Sequence, residues 1–137
     1  MIDHLSLAVN DMTRARVFYD AVLGALGYTR IKDFAWDNKV YSGYGPPGKP
    51  TFWIYGGYGK AVPGTGAHTA FAAPSRAAVD AFHRAALAHG GRDDGKPGLR
   101  PEYHANYYGA FVIDPDGHKI EAVCHAPGAF EDQFKPT

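Results

Sequence analysis

The chain repeats itself at an offset of 64 residues, and this repeat restricts the folds that it can adopt. The run from Asp3 to Val9 resembles the run from Ala67 to Ala73, with His4 and His68 at the same position of each (68 − 4 = 64). The same offset relates three further pairs, namely Phe18 and Phe82, Leu23 and Leu87, and Gly27 and Gly91. Self-similarity at a fixed period indicates a structural unit used twice.

Each copy has the pattern of a short strand followed by a helix. Asp11 and Ser75 are suitable N-cap residues at equivalent positions, and a glycine follows each helical stretch. Apolar residues at helical spacing predict the buried stripes, which are Ala15, Phe18, Val22 and Leu26 in the first copy and Val79, Phe82 and Ala86 in the second. His83 and His89 are expected on the solvated side of the second helix.

After each helix the sequence changes to short β-like runs separated by Gly and Pro. The segment Asp114-Pro115-Asp116-Gly117 lies between two such runs and is a strong hairpin signal. Proline presets one φ angle of such a turn, and glycine accepts the positive φ that follows. The pattern therefore predicts a β-α-β-β-β unit that occurs twice.

We accordingly expect an α+β fold in which two paired βαβββ modules form a curved mixed sheet cup. A single domain would cover residues 1–126, with a first module of about 1–56 and a second of about 67–126. The glycine-rich segment 57–66 reads as the linker, and residues 127–137 read as a C-terminal tail.

Composition narrows the possible partners of the 137-residue chain. Fourteen Lys and Arg balance fourteen Asp and Glu, so the basic surplus that phosphate backbones require is absent, and no nucleic acid partner is expected. No apolar run approaches the roughly 20 residues of a membrane helix. Met1 to His4 shows no signal-peptide pattern, and the lone Cys124 fits a reducing compartment, so a cytoplasmic location is expected.

Three residues could together form a metal site. Because side chains alternate along a strand, His4 and His68 share their faces with small residues, and Glu121 stands in an otherwise apolar strand. A buried carboxylate is costly unless it is paired or bound to a metal. Two histidines and a carboxylate form a known ligand set for divalent ions. The alternatives are hydrogen-bonded core histidines, and a Glu121 paired with Lys119 or Arg100.

An aromatic and basic cluster precedes the last hairpin. Arg100, Tyr103 and Tyr107 are candidate substrate-binding residues at the mouth of the cup, since such amphipathic side chains suit a pocket wall. His104 and Tyr108 are candidate catalytic residues that could act as an acid or a base. Structural packing of tyrosines in strands and loops explains the same cluster without a ligand.

Aromatic residues also mark the strands of the first copy. Trp36, Trp53 and Tyr55 are candidate substrate-binding residues that would line the first module's half of the cup. Plain core packing is the alternative for these three positions.

Two segments resemble one known superfamily. The opening Asp3 to Val9, with Phe18-Tyr19-Asp20 and Leu23-Gly24, resembles that of the vicinal oxygen chelate proteins, and Phe111 to Glu121 resembles their closing hairpin. These proteins include glyoxalases, bleomycin-resistance proteins, fosfomycin-resistance transferases and extradiol dioxygenases. The resemblance implies paired βαβββ modules around a divalent metal (Fe, Mn, Ni or Zn), a small-molecule substrate and a homodimer.

Carried over by position, the resemblance puts His4, His68 and Glu121 on metal-ligand positions. The fourth position falls on Trp53 or Phe52, with Trp53 preferred, and neither can coordinate a metal. The resemblance then implies a metal-dependent enzyme with dioxygenase-like or lyase-like (glyoxalase-like) chemistry on a small oxygen-chelating substrate. The alternative is a metal-free protein that sequesters a small molecule, as bleomycin-resistance proteins do.

Overall fold

The computed structural model describes residues 1–127 and contains two helices and eight strands. The elements of the first half are β1 (Leu5–Ala8), α1 (Met12–Gly24), β2 (Thr29–Trp36), β3 (Lys39–Gly45) and β4 (Phe52–Gly56). Those of the second half are β5 (His68–Ala72), α2 (Arg76–Ala88), β6 (Arg92–Leu99), β7 (Tyr108–Ile113) and β8 (Lys119–Cys124). The order β-α-β-β-β occurs twice, which confirms the predicted fold class.

Each module forms a four-stranded mixed sheet. The strand order is β1-β4-β3-β2 in the first sheet and β5-β8-β7-β6 in the second. The first strand of each module runs parallel to the last strand, and the remaining pairs are antiparallel. One face of each sheet packs on a helix, and the other face carries Trp53 in the first sheet and Glu121 in the second.

The predicted helices and their buried stripes are confirmed. The side chains of Asp11 and Ser75 accept hydrogen bonds from the backbone N–H groups of Arg14 and Ala78, as N-caps do. All seven stripe residues are at most 3% exposed and belong to one core that both modules share. The expectation for His83 is wrong: it is 8% exposed, and its Nε2 lies 2.8 Å from Asp93 Oδ1.

Strand pairing defines equivalent positions in the two sheets. Ser6 pairs with Trp53 in the first sheet, and Ala70 pairs with Glu121 in the second. Because Ser6 and Ala70 are 64 residues apart, Trp53 occupies the position in the first module that Glu121 occupies in the second. The register therefore makes Trp53, rather than Phe52, the equivalent of Glu121.

The turn between β7 and β8 joins the second module to the first. The Tyr19 hydroxyl on α1 donates to Asp114 Oδ2 at 2.6 Å, and both residues are at most 3% exposed. Asp116 Oδ1 accepts from the Asn10 backbone N–H at 3.1 Å and from Arg14 Nη2 at 2.9 Å. Burial raises the pKa of Asp114, although the hydrogen bonds that its carboxylate accepts from the Tyr19 hydroxyl and from the backbone N–H groups of Asp116 and His118 oppose the increase.

The predicted tail, apart from Pro127, lies outside the described residues. Within residues 1–127, neither helix is long and apolar enough to cross a membrane.

Candidate functional site

His68 and Glu121 meet on the open face of the second sheet. His68 Nε2 lies 3.3 Å from Glu121 Oε1. The Glu121 side chain is 1% exposed, whereas the His68 side chain is 40% exposed and lies at the rim. An imidazole and a carboxylate at this distance can share a proton or bind one cation between them.

The carboxylate of Glu121 has a second partner. The Tyr107 hydroxyl donates to Glu121 Oε2, and burial together with this hydrogen bond raises the pKa of Tyr107 far above its usual range. Gly109 leaves room for both groups, because a Cβ at this position would lie 3.2 Å from Glu121 Oε2 and 3.2 Å from the Tyr107 ring. The carboxylate is therefore held in one orientation, with Oε1 directed towards His68.

These residues line a cavity of about 700 Å³. Its ionisable lining residues are His68, Asp94, Arg100, His104, Lys119 and Glu121. Tyr103, Tyr107 and Phe111 supply its aromatic surface. Of the predicted substrate-binding residues, Arg100, Tyr103 and Tyr107 thus lie together beside the His68–Glu121 pair. A cavity of this size suits a small molecule.

His104, a predicted catalytic residue, lies at the mouth of this cavity beside a histidine that the sequence did not single out. His104 Nε2 is 2.6 Å from His125 Nδ1, and the two rings stack with centroids 4.9 Å apart. His104 Nδ1 accepts the backbone N–H of Asn106 at 3.1 Å, so the proton of a neutral His104 is assigned to Nε2 and is donated to His125.

Tyr108, the other predicted catalytic residue, is directed away from the cavity. Its hydroxyl donates to Asp80 Oδ1 on α2 at 2.6 Å. Burial and this hydrogen bond raise the pKa of Tyr108 to about 12. The hydroxyl is therefore on the helix side of the sheet and stays protonated at neutral pH.

His4 lines a different cavity, of about 400 Å³, on the open face of the first sheet. Its Nδ1 lies 2.7 Å from Asp3 Oδ1, and Trp53 lines the same cavity. The Trp53 indole covers Gly43, where an added Cβ would come within 2.7 Å of the ring. His4 and Trp53 thus repeat the arrangement of His68 and Glu121, with an indole in place of the carboxylate.

Several other aromatic residues of the first module lie around this open face. Phe34 stacks on Tyr41 with ring centroids 4.6 Å apart and contacts Trp53 edge to face at 5.7 Å. Tyr55 packs at 6.1 Å from Tyr41, and Trp36, at the end of β2, is 67% exposed. Phe34, Tyr41, Trp53 and Tyr55 therefore form a continuous group of contacting rings, the aromatic wall.

The predicted metal ligands fit a divalent ion only in part within one chain. His68 and Glu121 provide the nitrogen and oxygen donors that Fe, Mn, Ni and Zn accept in proteins. Among residues 1–127, no three His, Cys, Asp or Glu side chains come close enough to hold an ion together. His4 is thus the predicted ligand that the fold of one chain does not bring to His68 and Glu121.

The amino-acid sequence also matches a known family. The model of the Glyoxalase/Bleomycin resistance protein/Dioxygenase superfamily matches residues 1–122. The fold and the duplicated module agree with this match, and the chain belongs to that superfamily.

Solved structures show the same fold. A glyoxalase/bleomycin resistance protein from Albidiferax ferrireducens T118 is 34% identical, with a TM-score of 0.72 over 89% of this chain and 97% of that one. A V278E mutant of glyoxalase I from Zea mays has a TM-score of 0.72 at 24% identity, over 89% of this chain. This chain covers 45% of the maize protein. Among curated proteins, the comparison found no match.

Proposed function

We propose that this protein is a metal-dependent enzyme that acts on a small oxygen-chelating substrate in the cavity of the second module. The observation that carries the proposal is the pairing of His68 Nε2 with Glu121 Oε1 at 3.3 Å. Glu121 is a buried carboxylate beside an open cavity of about 700 Å³, and burial of such a group is costly without a charged partner. A divalent ion would be that partner.

In this proposal His4 supplies the third ligand. His4 and His68 are equivalent by the 64-residue repeat, yet they line separate cavities of one chain. A homodimer that places the first sheet of one copy over the second sheet of its partner would join the two half-sites. Three protein ligands would leave positions open for substrate, as catalytic metal sites require.

The cavity residues then have separate roles in the reaction. When bound, the divalent ion would supply Lewis-acid chemistry to the substrate oxygens. Tyr107 holds Glu121 in one orientation through its hydroxyl. His104 and His125 share a proton at the cavity mouth and can accept or return a proton of the substrate. Dioxygenase-like and lyase-like chemistry both fit these roles.

Metal titration tests the proposal directly. Protein freed of metal should bind one Fe(II), Mn(II), Ni(II) or Zn(II) ion per chain in isothermal titration calorimetry. Loss of an outer contact typically weakens metal binding about 10- to 100-fold, so removal of a ligand in His68→Ala, Glu121→Gln or His4→Ala should weaken it at least about 100-fold.

His89→Ala provides the matched control, because His89 is an exposed histidine whose Nδ1 lies 2.8 Å from Ala85 O at the end of α2. This variant should bind metal as the unmodified protein does. Failure of all four ions to bind would refute the proposal. Oxygen uptake with catechols and turnover of a glutathione hemithioacetal would then distinguish the two reaction types.

The second candidate is a metal-free protein that sequesters a small aromatic molecule. The aromatic wall of Phe34, Tyr41, Trp53 and Tyr55 favours it, because offset and edge-to-face ring contacts suit a planar ligand. Trp36 and Trp53 are the two tryptophans of the chain, so Trp36→Phe leaves one emitter in this wall. Quenching of this emission by catechol at micromolar concentration, with chelator present, would support sequestration, and unchanged emission would exclude it for catechol.

A further inference from the structure

The guanidinium group of Arg100 in the cavity of the second module is held by backbone carbonyl groups. Its Nη1 donates to the Gly98 carbonyl at 2.9 Å, and its Nη2 donates to the Lys96 carbonyl at 2.7 Å. Both partners are neutral backbone groups of β6. A guanidinium group has five N–H donors, so three remain for other partners.

The other charges of this cavity already have charged or titratable partners. Lys119 Nζ lies 3.2 Å from Asp94 Oδ2, and Glu121 lies against His68 and Tyr107. Within the described part of the chain, no carboxylate lies within ion-pair distance of Arg100. Among residues 1–127, the positive charge of Arg100 therefore has no carboxylate counterion beside the His68–Glu121 pair.

The surrounding backbone holds this guanidinium in place. Added Cβ atoms at Gly95 and Gly98 would lie 3.4 Å from Nη2 and 3.2 Å from Nη1, so the absence of side chains there makes room for the group. Phe111 lies beneath it, with the guanidinium carbon 5.7 Å from the ring centroid. Lys119 Nζ lies 4.9 Å from the same ring. Phe111 thus positions two cations in the cavity.

We infer that the substrate of this site carries a carboxylate group, and that Arg100 binds it through the N–H donors that the backbone does not use. The inference rests on the proposed function, since it assigns a feature of the substrate at that site. A planar guanidinium matches a carboxylate in charge and in geometry, which a neutral amide or hydroxyl does not. The structure thus assigns a small oxygen-chelating acid to this cavity.

A pair of probes of equal shape tests the inference. We would measure the affinities of 3,4-dihydroxybenzoate and 3,4-dihydroxybenzamide by calorimetry, both with chelator present and with Zn(II) added. The benzoate should bind at least about 10-fold more tightly than the amide, as expected for one charge-assisted contact. Equal affinities, or no measurable binding of the benzoate, would overturn the inference.

Variants then test whether Arg100 is responsible for the preference for the benzoate. Arg100→Gln should bind both probes with equal affinity, and Arg100→Lys should retain part of the preference because it keeps the charge but loses the planar fork. Arg84→Gln removes the same charge from an exposed position of α2 and should leave the preference unchanged. A preference that survives in Arg100→Gln would assign the carboxylate to another group and refute the role of Arg100.

The two proposals can fail separately. Carboxylate preference in the presence of chelator does not require a metal, so it can persist in a protein that binds none of the four ions. Conversely, a protein that binds metal but does not distinguish the two probes would retain the proposed function and lose the inference about its substrate.

Discussion

Replacement of Tyr19 by phenylalanine would remove one buried hydroxyl from the junction of the two modules. This hydroxyl donates to Asp114 Oδ2 at 2.6 Å, and Tyr19 and Asp114 are 0% and 3% exposed. Asp114 Oδ1 keeps the backbone N–H groups of Asp116 and His118 at 2.9 and 2.8 Å. The substitution would therefore leave one oxygen of a buried carboxylate without its protein donor.

The size of the expected stability loss follows from that hydrogen bond. A hydrogen bond to a charged group contributes about 1.5–3 kcal/mol, so Tyr19→Phe should lower the free energy of unfolding by about 2 kcal/mol at pH 7. Because burial raises the pKa of Asp114, this carboxyl takes up a proton in the folded state at a higher pH than in the unfolded chain. The stability linked to that proton is present at low pH and is lost as pH rises through the raised pKa. At low pH the hydrogen bond that Tyr19→Phe removes is made to a neutral carboxyl group. The loss in free energy of unfolding should therefore be smaller at pH 4 than at pH 7.

Urea denaturation at the two pH values would measure this effect, with an unchanged m-value as the sign that folding remains two-state. Tyr44→Phe is the control, because Tyr44 is equally buried but donates at 2.8 Å to Asp20, whose side chain is 42% exposed. Water can replace that donor, so we expect a loss of about 1 kcal/mol or less. A loss below about 0.5 kcal/mol for Tyr19→Phe, or an equal loss in an Asp114→Asn background, would refute the reasoning.

Three further substitutions test the remaining sites. Gly109→Ala should lower the free energy of unfolding by about 1 kcal/mol and weaken Zn(II) binding, because the added Cβ would lie 3.2 Å from Glu121 Oε2. An unchanged free energy of unfolding in urea and an unchanged Zn(II) affinity in calorimetry would contradict this. Since the pKa of Tyr108 is raised to about 12 from its usual 10.0, its contribution to stability should persist to about pH 10 and fall towards pH 12. Thermal unfolding of Tyr108→Phe should show a smaller decline over that range. Trp53→Glu should tighten Zn(II) binding about 10-fold by adding a fourth ligand beside His4, without adding a second ion per chain.

Local pattern was enough to predict most of the fold. The stripe that includes Phe18 and Phe82 identified the buried face of each helix, because helical spacing places such residues on one side. Strand β6 was not identified as a strand, since Gly95, Pro97 and Gly98 interrupt its pattern. Its pairing with β7 contains register shifts at these glycines, and tertiary contacts hold a segment with a weak intrinsic preference for strand.

The candidate site was predicted only in part for the same reason. Alternation grouped His68 with small residues on one face of its strand and identified Glu121 as a carboxylate in an otherwise apolar strand, and the structure brings the two side chains together. The charges that surround them depend on β6: Lys119 pairs with Asp94 of this strand rather than with Glu121, and Arg100 binds backbone carbonyls of this strand. No spacing rule relates those atoms, because their separation is set by the path of β6 and the loop that follows it.

The amino-acid sequence by itself determined the duplicated module, its helices and the faces on which His4, His68 and Glu121 lie. Those features follow from periods of 2 and 3.6 residues, which relate neighbouring positions, and from the 64-residue offset, which the sequence shows directly. Only the tertiary structure decided that His4 and His68 line separate cavities, that Tyr108 is directed towards α2 and that Arg100 lacks a carboxylate partner among residues 1–127. These outcomes depend on how β6, β7 and α2 pack within the second module and on how the two modules meet, which involves residues far apart in the chain.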